Sequence, residues 1–243
     1  MNQPFANVYD DDRRALAYAG LAFPGTYYLA FRDIPELLRK HVAGSRALDF
    51  GCGAGRSSRF LKEHGFQVTG VDISASMLEH AREQDPDGEY RLVPDGDLSG
   101  VASAVFDLVF SAFTFDNVPG RAARARLFAE LRRVLAPGGR LVNLVSAPEI
   151  YVNEWVSFST CEFPENRTAG SGERVRIVML DVPDRRPVED VMWLDADYRE
   201  LYARAGLEVL EVHRPLGTDA DPYEWDAETR ISPWAIYVLQ GVR

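Results

Sequence analysis

Residues Ala47–Ser58 read ALDFGCGAGRSS, an apolar run that ends in an acid, meets glycines at 51, 53 and 55, and continues as a helix-like segment. The pattern predicts a strand, a tight turn and a helix N-terminus arranged so that a small ligand touches backbone. Glycine tolerates positive φ and lacks the Cβ that would block a close approach. The open N–H groups and dipole of the next helix favour a negatively charged ligand group. Spacing then separates ligand classes. A dinucleotide fingerprint, G-x-G-x-x-G, needs its third glycine at position 56. Arg56 stands there and the glycine comes one place early, which disfavours a nicotinamide-dependent oxidoreductase.

Outward from this turn, helix and strand signals alternate, the signature of βαβ units and a parallel sheet. Ile34–His41 reads as a helix entering the strand Arg46–Phe50, and Arg56–His64 as the helix after the turn, stopped by Gly65. The strand Gln67–Asp72 ends on a second acid, and Ser74 caps a helix to about Gln84. Tyr90–Val93 and Ala104–Ala112 are the next strands. Leu127, Leu131, Val134 and Leu135 give Arg121–Leu135 a helical period, and Pro137-Gly138-Gly139 breaks it before the strand Arg140–Val145.

Residues 147–194 then turn to aromatics, prolines and charges, with one alternating run, Arg174–Val182, that reads as an added strand. A last helix, capped by Asp195 and reaching Ala205, leads to strands Leu207–His213 and Trp234–Leu239. The expected organisation is an N-terminal lid segment over 1–35, a ligand-binding core over 36–146, a cap insertion over 147–194, and completion of the core sheet over 195–243.

A chain of 243 residues suits one α/β domain with a cap. Cys52 and Cys161 are its two cysteines, so no disulfide framework is expected and a reducing cytoplasm is the natural setting. The start lacks a basic region followed by an apolar core, and no apolar run approaches the ~20 residues of a membrane span. There are 37 acidic and 27 basic side chains, a formal charge of −10. This repels a polyanion, excludes general nucleic-acid binding, and points to a small-molecule partner. The arginines at 121, 124, 126, 132 and 133 read as a solvated helix face.

Together, Asp49 with the three glycines, the acid Asp72 lying 21 residues after Gly51, Phe106-Asp107-Leu108-Val109-Phe110 and the Pro-Gly-Gly segment resemble class I S-adenosylmethionine-dependent methyltransferases. The resemblance spans roughly residues 36–146 and 195–241. It implies a Rossmann-like, doubly wound, seven-stranded and mostly parallel sheet with an antiparallel last strand. It also implies S-adenosyl-L-methionine as cofactor, with Asp49, Gly51, Cys52, Gly53 and Gly55 at its methionine end and Asp72 accepting its ribose hydroxyls. Ile73 and Met77 would offer an apolar face to the adenine. Pro94-Asp95-Gly96-Asp97-Leu98 resembles the segment that binds the adenine edge: Asp97 follows the glycine as expected, whereas the distance to Asp107 favours Asp95. Ser111 and Phe113 would border the methionine part.

Methyl transfer needs an acceptor atom in line with the methyl–sulfur bond and screened from water. It requires no metal, and a base only where the acceptor must lose a proton. Asp116 and His213 are the candidate bases, and Asp116 with Asn117 also suggests a catechol-type metal pair for which no supporting third acid is placed; no metal is expected. For the acceptor, Tyr27 and Tyr28 in the stretch Tyr18–Phe31, Asn117, and Glu154, Trp155 and Phe158 in the insertion are expected to form an aromatic roof that suits a small organic molecule. The competing functional class is a protein that binds the cofactor without transferring methyl.

Overall fold

The computed structural model describes residues 23–242. Seven strands, the central ones apolar on both faces, form one sheet: β1 (Arg46–Phe50), β2 (Gln67–Asp72), β3 (Glu89–Leu92), β4 (Phe106–Ala112), β5 (Leu135–Ser146), β9 (Leu207–His213) and β10 (Trp234–Gly241), in the order β3-β2-β1-β4-β5-β10-β9. The pairs β1–β2, β1–β4, β2–β3 and β4–β5 are parallel, and β10 runs antiparallel between β5 and β9. The strand order reverses between β1 and β4. A crevice at the carboxyl ends of the strands opens at such a switch point.

Among the described residues six α-helices accompany the sheet: α1 (Thr26–Arg32), α2 (Ile34–His41), α3 (Arg56–Glu63), α4 (Ala75–Gln84), α5 (Arg121–Val134) and α6 (Asp195–Arg204). The two-residue strand period sends Leu108, Phe110, Val142, Leu144, Ile236 and Val238 to one face, where they pack with Leu29, Phe31 and Leu38 of α1 and α2. It sends Val109, Leu141, Val145, Ala235 and Leu239 to the other, against Leu127, Leu131, Leu201 and Tyr202 of α5 and α6. No helix among the described residues is long and apolar enough to cross a membrane.

Two sequence expectations are corrected in detail. Pro137-Gly138-Gly139 lies inside β5 instead of separating it from α5. The register jumps from Phe106↔Leu135 to Leu108↔Arg140, so these residues bulge from the ladder while both flanks stay paired. Asp195 does not cap α6: Leu194 holds that position, and the Asp195 carboxylate accepts from Arg199 Nε (2.7 Å) and Tyr237 Oη (2.7 Å).

The insertion forms its own antiparallel sheet, β6 (Phe158–Ser159), β7 (Arg174–Met179) and β8 (Val188–Val191), with β7 in the centre. The alternating run predicted there is thus realised, while its two short partners carried no readable period. Buried polar side chains tie this sheet to α1. Thr26 donates from Oγ1 to Glu228 Oε1 (2.7 Å), accepts from the Ser157 N–H (3.1 Å) and donates its own N–H to Ser157 Oγ (2.9 Å). Buried polar groups satisfied in this way fix one relative placement of the segments that carry them. Residues 1–22 of the predicted lid segment lie outside the described residues.

Candidate active site

The strand ends at the switch point enclose a cavity of about 550 Å³. Gly51, Cys52 and Gly53 after β1, Asp72 and Ile73 after β2, Val93, Asp95 and Gly96 after β3, and Phe113 and Thr114 after β4 all line it, joined by Met77 of α4 and Arg56 of α3. The glycine turn is shaped for this approach. Gly51 has φ +74°, and a Cβ there would collide with the Thr114 side chain, whose hydroxyl donates to the Phe50 carbonyl (2.9 Å) and ties β4 to β1. A Cβ on Gly53, at φ +53°, would stand 3.1 Å from Met77 Cε on the cavity wall. Asp95 (φ 54°) and Phe113 (φ 61°) adopt left-handed backbone although neither is glycine. Such conformations cost about 1–3 kcal/mol and persist only where the surroundings enforce them. Arg126 Nη2, donating to the Asp95 carbonyl (3.0 Å), is one such enforcement.

Asp72 sits where the turn and α4 meet, its carboxylate accepting from the Gly53 N–H (2.8 Å) and the Ser74 N–H (2.9 Å). Burial raises its pKa, opposed by backbone N–H groups of Ser74, Gly53 and Ile73. Ser74 also caps α4, accepting from the Met77 N–H (3.4 Å). Ile73 is 53% exposed on the cavity rim, while Met77 is buried. The cavity therefore offers a carboxylate, an apolar slot and bare glycine backbone side by side. These are the groups that adenosine with an amino-acid tail requires, so the residues present fit S-adenosylmethionine.

Several expected cofactor contacts lie elsewhere. Asp49 is fully buried behind the turn, where Oδ2 accepts from Ser57 Oγ (2.7 Å) and Ser58 Oγ (2.6 Å). It fastens the start of α3 to β1, and burial pushes its pKa up to about 6. Gly55 does not line the cavity; at φ +76° it passes the chain into α3, and a Cβ there would press on Tyr90 and Ala81. Between the two adenine-edge candidates, Asp95 lines the cavity and Asp97 is exposed, accepting from Ser99 (2.8 Å to its N–H). Leu98 packs into the core beneath α5, and the strand period turns buried Ser111 away from the cavity.

A second, smaller cavity of about 70 Å³ adjoins the first and shares Arg56, Phe113 and Asn117 with it. Tyr27, Phe158 and Trp234 form its aromatic wall, with ring centroids 5.1 Å (Tyr27–Phe158) and 5.7 Å (Tyr27–Trp234) apart. Asp116 lies in the 3-10 turn Thr114–Asn117 and accepts from the Ser146 N–H (3.1 Å). Asp190 of β8 and Tyr151 reach the same cavity, with Tyr151 Oη donating to Asp190 Oδ2 (3.0 Å). Sequence spacing and motif left Asp190 and Trp234 unmarked, whereas Tyr151 belongs to the aromatic insertion expected to roof the acceptor. Arg56 carried a signal only as the residue that breaks the dinucleotide pattern; its guanidinium stands 5.1 Å from both the Phe23 and Tyr27 ring centroids.

The remaining acceptor-side candidates stand apart from both cavities. His213 lines neither cavity; it pairs with Asp33 (2.8 Å) beside α2. Tyr28 turns to Tyr223 (centroids 5.5 Å apart), Glu154 is exposed and accepts from the Thr160 N–H (2.7 Å), and buried Trp155 donates to the Ile150 carbonyl (2.8 Å). None of the three lines either of these two cavities.

Burial raises the pKa of Asp116, opposed by hydrogen bonds from Ser146 and by the charge of Arg124; burial and then the charge of Asp116 raise that of Asp190. With Asp49 and Asp72 also raised, the folded chain keeps protons that the unfolded chain releases above its ordinary carboxyl pKa of about 3.9. Stability from these groups is full below that value and is lost as pH rises through the raised ones. The denaturation midpoint of the ligand-free protein is therefore expected to fall from about pH 5 to about pH 8, and Asp190→Asn to flatten the decline. A midpoint that climbs over this interval would contradict the placement of these carboxyls.

Comparison with known proteins agrees with this geometry. Residues 48–143 match the family described as "Methyltransferase domain". N-demethylindolmycin N-methyltransferase of Streptomyces griseus is 30% identical over 203 residues, covering 82% of this chain and 84% of that protein. Trans-aconitate 2-methyltransferase of Paracidovorax citrulli is 29% identical over 205 residues, covering 79% and 70%. The crystal structure of an S-adenosylmethionine dependent methyltransferase from Mesorhizobium loti, 23% identical, superposes with a TM-score of 0.60 over 86% of this chain and 97% of that one, a likeness of fold. The glycine turn, the acid ending β2, the sheet order and these relatives lead to one conclusion: the chain belongs to the class I S-adenosylmethionine-dependent methyltransferases.

Proposed function

We propose that this methyltransferase acts on a small organic acceptor, holding S-adenosylmethionine in the larger cavity and the acceptor's reacting end in the smaller. The observation that carries this reading is that the two cavities meet at Arg56, Phe113 and Asn117, so two ligands in them would touch. When bound, the cofactor supplies an electrophilic methyl group on a sulfonium. The chain's part is to bind, orient and exclude water. Asp72 accepts the ribose hydroxyls, Ile73, Met77 and Val93 flank the adenine, and Asp95 with Gly96 meets its edge. Phe113 borders the junction where the methyl group passes. Relatives named for N-demethylindolmycin and trans-aconitate support a small acceptor, and the aromatic wall suits an organic one.

The test is thermal. Ligand at 100 times its dissociation constant stabilises a protein by about 2.7 kcal/mol. S-adenosylhomocysteine is expected to raise the melting temperature at such concentrations and NAD to leave it unchanged; the reverse pattern would overturn the assignment. Transfer of labelled methyl to an acceptor separates the enzyme reading from mere cofactor binding.

A further inference from the structure

The smaller cavity combines aromatic walls with an unusual excess of hydrogen-bond acceptors. Asp116 is 4% and Asp190 9% exposed, and they come from segments 74 residues apart, so the fold has brought two carboxyls to one buried space. Asn117 adds an amide oxygen that is buried with no hydrogen-bond partner among the described residues, while its Nδ2 donates to the Phe113 carbonyl (3.3 Å). The Tyr151 hydroxyl is already directed at Asp190, and the indole N–H of Trp234 donates to the Thr26 carbonyl (2.8 Å). Two carboxyls thus meet in one space beside this buried amide oxygen, and the neutral donors around them are committed, with the Tyr27 hydroxyl directed at Met179 Sδ (4.0 Å) and the Ser146 hydroxyl at Asp116. A buried acceptor without a partner is costly. A ligand group that brings several N–H donors and a positive charge answers both deficits at once, and an ammonium is such a group, with three donors and no acceptor. Aromatic faces add cation–π attraction.

Resting on the reading of this cavity as the acceptor site, we propose that it recognises a basic amine nitrogen, held by Asp116 and Asp190 against the Tyr27, Phe158 and Trp234 rings. The carboxylates then have a second use. An ammonium has no lone pair to offer; transfer of one N–H proton to an ionised aspartate oxygen leaves a neutral amine with its lone pair free and a neutral carboxylic acid, with charge and protons conserved. A volume of about 70 Å³ admits only this end of the acceptor, a group of a few heavy atoms. Arg56 at the junction with the larger cavity is the one charge on the lining that argues for an anionic acceptor instead.

Three probes with one ring and different heads decide the matter: benzylamine, benzyl alcohol and benzoate, titrated calorimetrically into the full chain saturated with S-adenosylhomocysteine. Benzylamine is expected to bind about tenfold or more tighter than benzyl alcohol, as hydrogen bonds to charged groups require. Asp190→Asn is expected to erase that preference without changing the affinity for S-adenosylhomocysteine. Tightest binding of benzoate, equal binding of the three, or binding of none would overturn the inference, and the wild-type comparison stands even if the variant does not fold. Failure of S-adenosylhomocysteine itself to bind would instead overturn the cofactor reading on which the inference rests.

Discussion

Alanine at Asp72 is expected to weaken binding of S-adenosylhomocysteine by at least about 100-fold, since a hydrogen bond to a charged group contributes about 1.5–3 kcal/mol and the proposed contact is to two ribose hydroxyls. The carboxylate has a second task. It accepts the N–H groups of Gly53 and Ser74, so its loss also loosens the glycine turn and the entry to α4. Both effects act in the same direction on affinity. Calorimetric titration of the variant measures the loss, and a thermal unfolding curve shows whether the chain still folds. Wild-type affinity in a folded Asp72→Ala protein would sink the ribose assignment.

Arg124→Ala is expected to have the largest effect on stability, a loss of about 3–5 kcal/mol in unfolding free energy. Arg124 is fully buried in α5, with Nε donating to the Val118 carbonyl (2.9 Å), Nη1 to Tyr198 Oη (2.9 Å) and Nη2 to the Phe115 carbonyl. Its guanidinium also lies 4.4 Å from the Trp193 ring centroid. Each buried group left without its partner costs about 1–3 kcal/mol, and truncation adds a cavity. The two carbonyls belong to the turn that carries Asp116 and Asn117, so acceptor-side geometry is expected to suffer with stability. Lysine, a point charge without the planar fork, cannot serve all three acceptors and should recover only part of the loss. Urea unfolding measures both variants; a loss under about 1 kcal/mol for alanine would show that the turn holds without the clamp.

Arg124 also illustrates where reading along the chain stops. Within Arg121–Val134 it looked like one more arginine on a solvated helix face, because sequence shows the helical period but not which carbonyls and rings await each turn. Asp95 and Asp97 pose the same problem at closer range: two exposed acids two residues apart in one loop, of which the left-handed backbone at 95 and 96 places Asp95 on the cavity lining and not Asp97. Ser111 stands beside motif residues yet is buried away from the cavity, since neighbours on a strand point to opposite sides, and Leu98, in the loop after β3, packs with Leu127 and Leu131 of α5.

The donor half of the site was legible for a local reason. A strand, a glycine turn, a helix and a second acid-tipped strand fall within Arg46–Asp72, and their geometry follows from backbone chemistry acting over a few residues. Hydrophobic period and turn residues likewise determined the order of the elements and the doubly wound sheet. The acceptor half had no such local grammar. Tyr27, Asp116, Asp190 and Trp234 meet only because α1, the end of β4, the inserted sheet and β10 pack together, and long-range packing leaves no spacing in the sequence to read. Residue order alone determined the doubly wound core and its glycine turn; tertiary structure decided which side chains line the smaller cavity proposed for the acceptor.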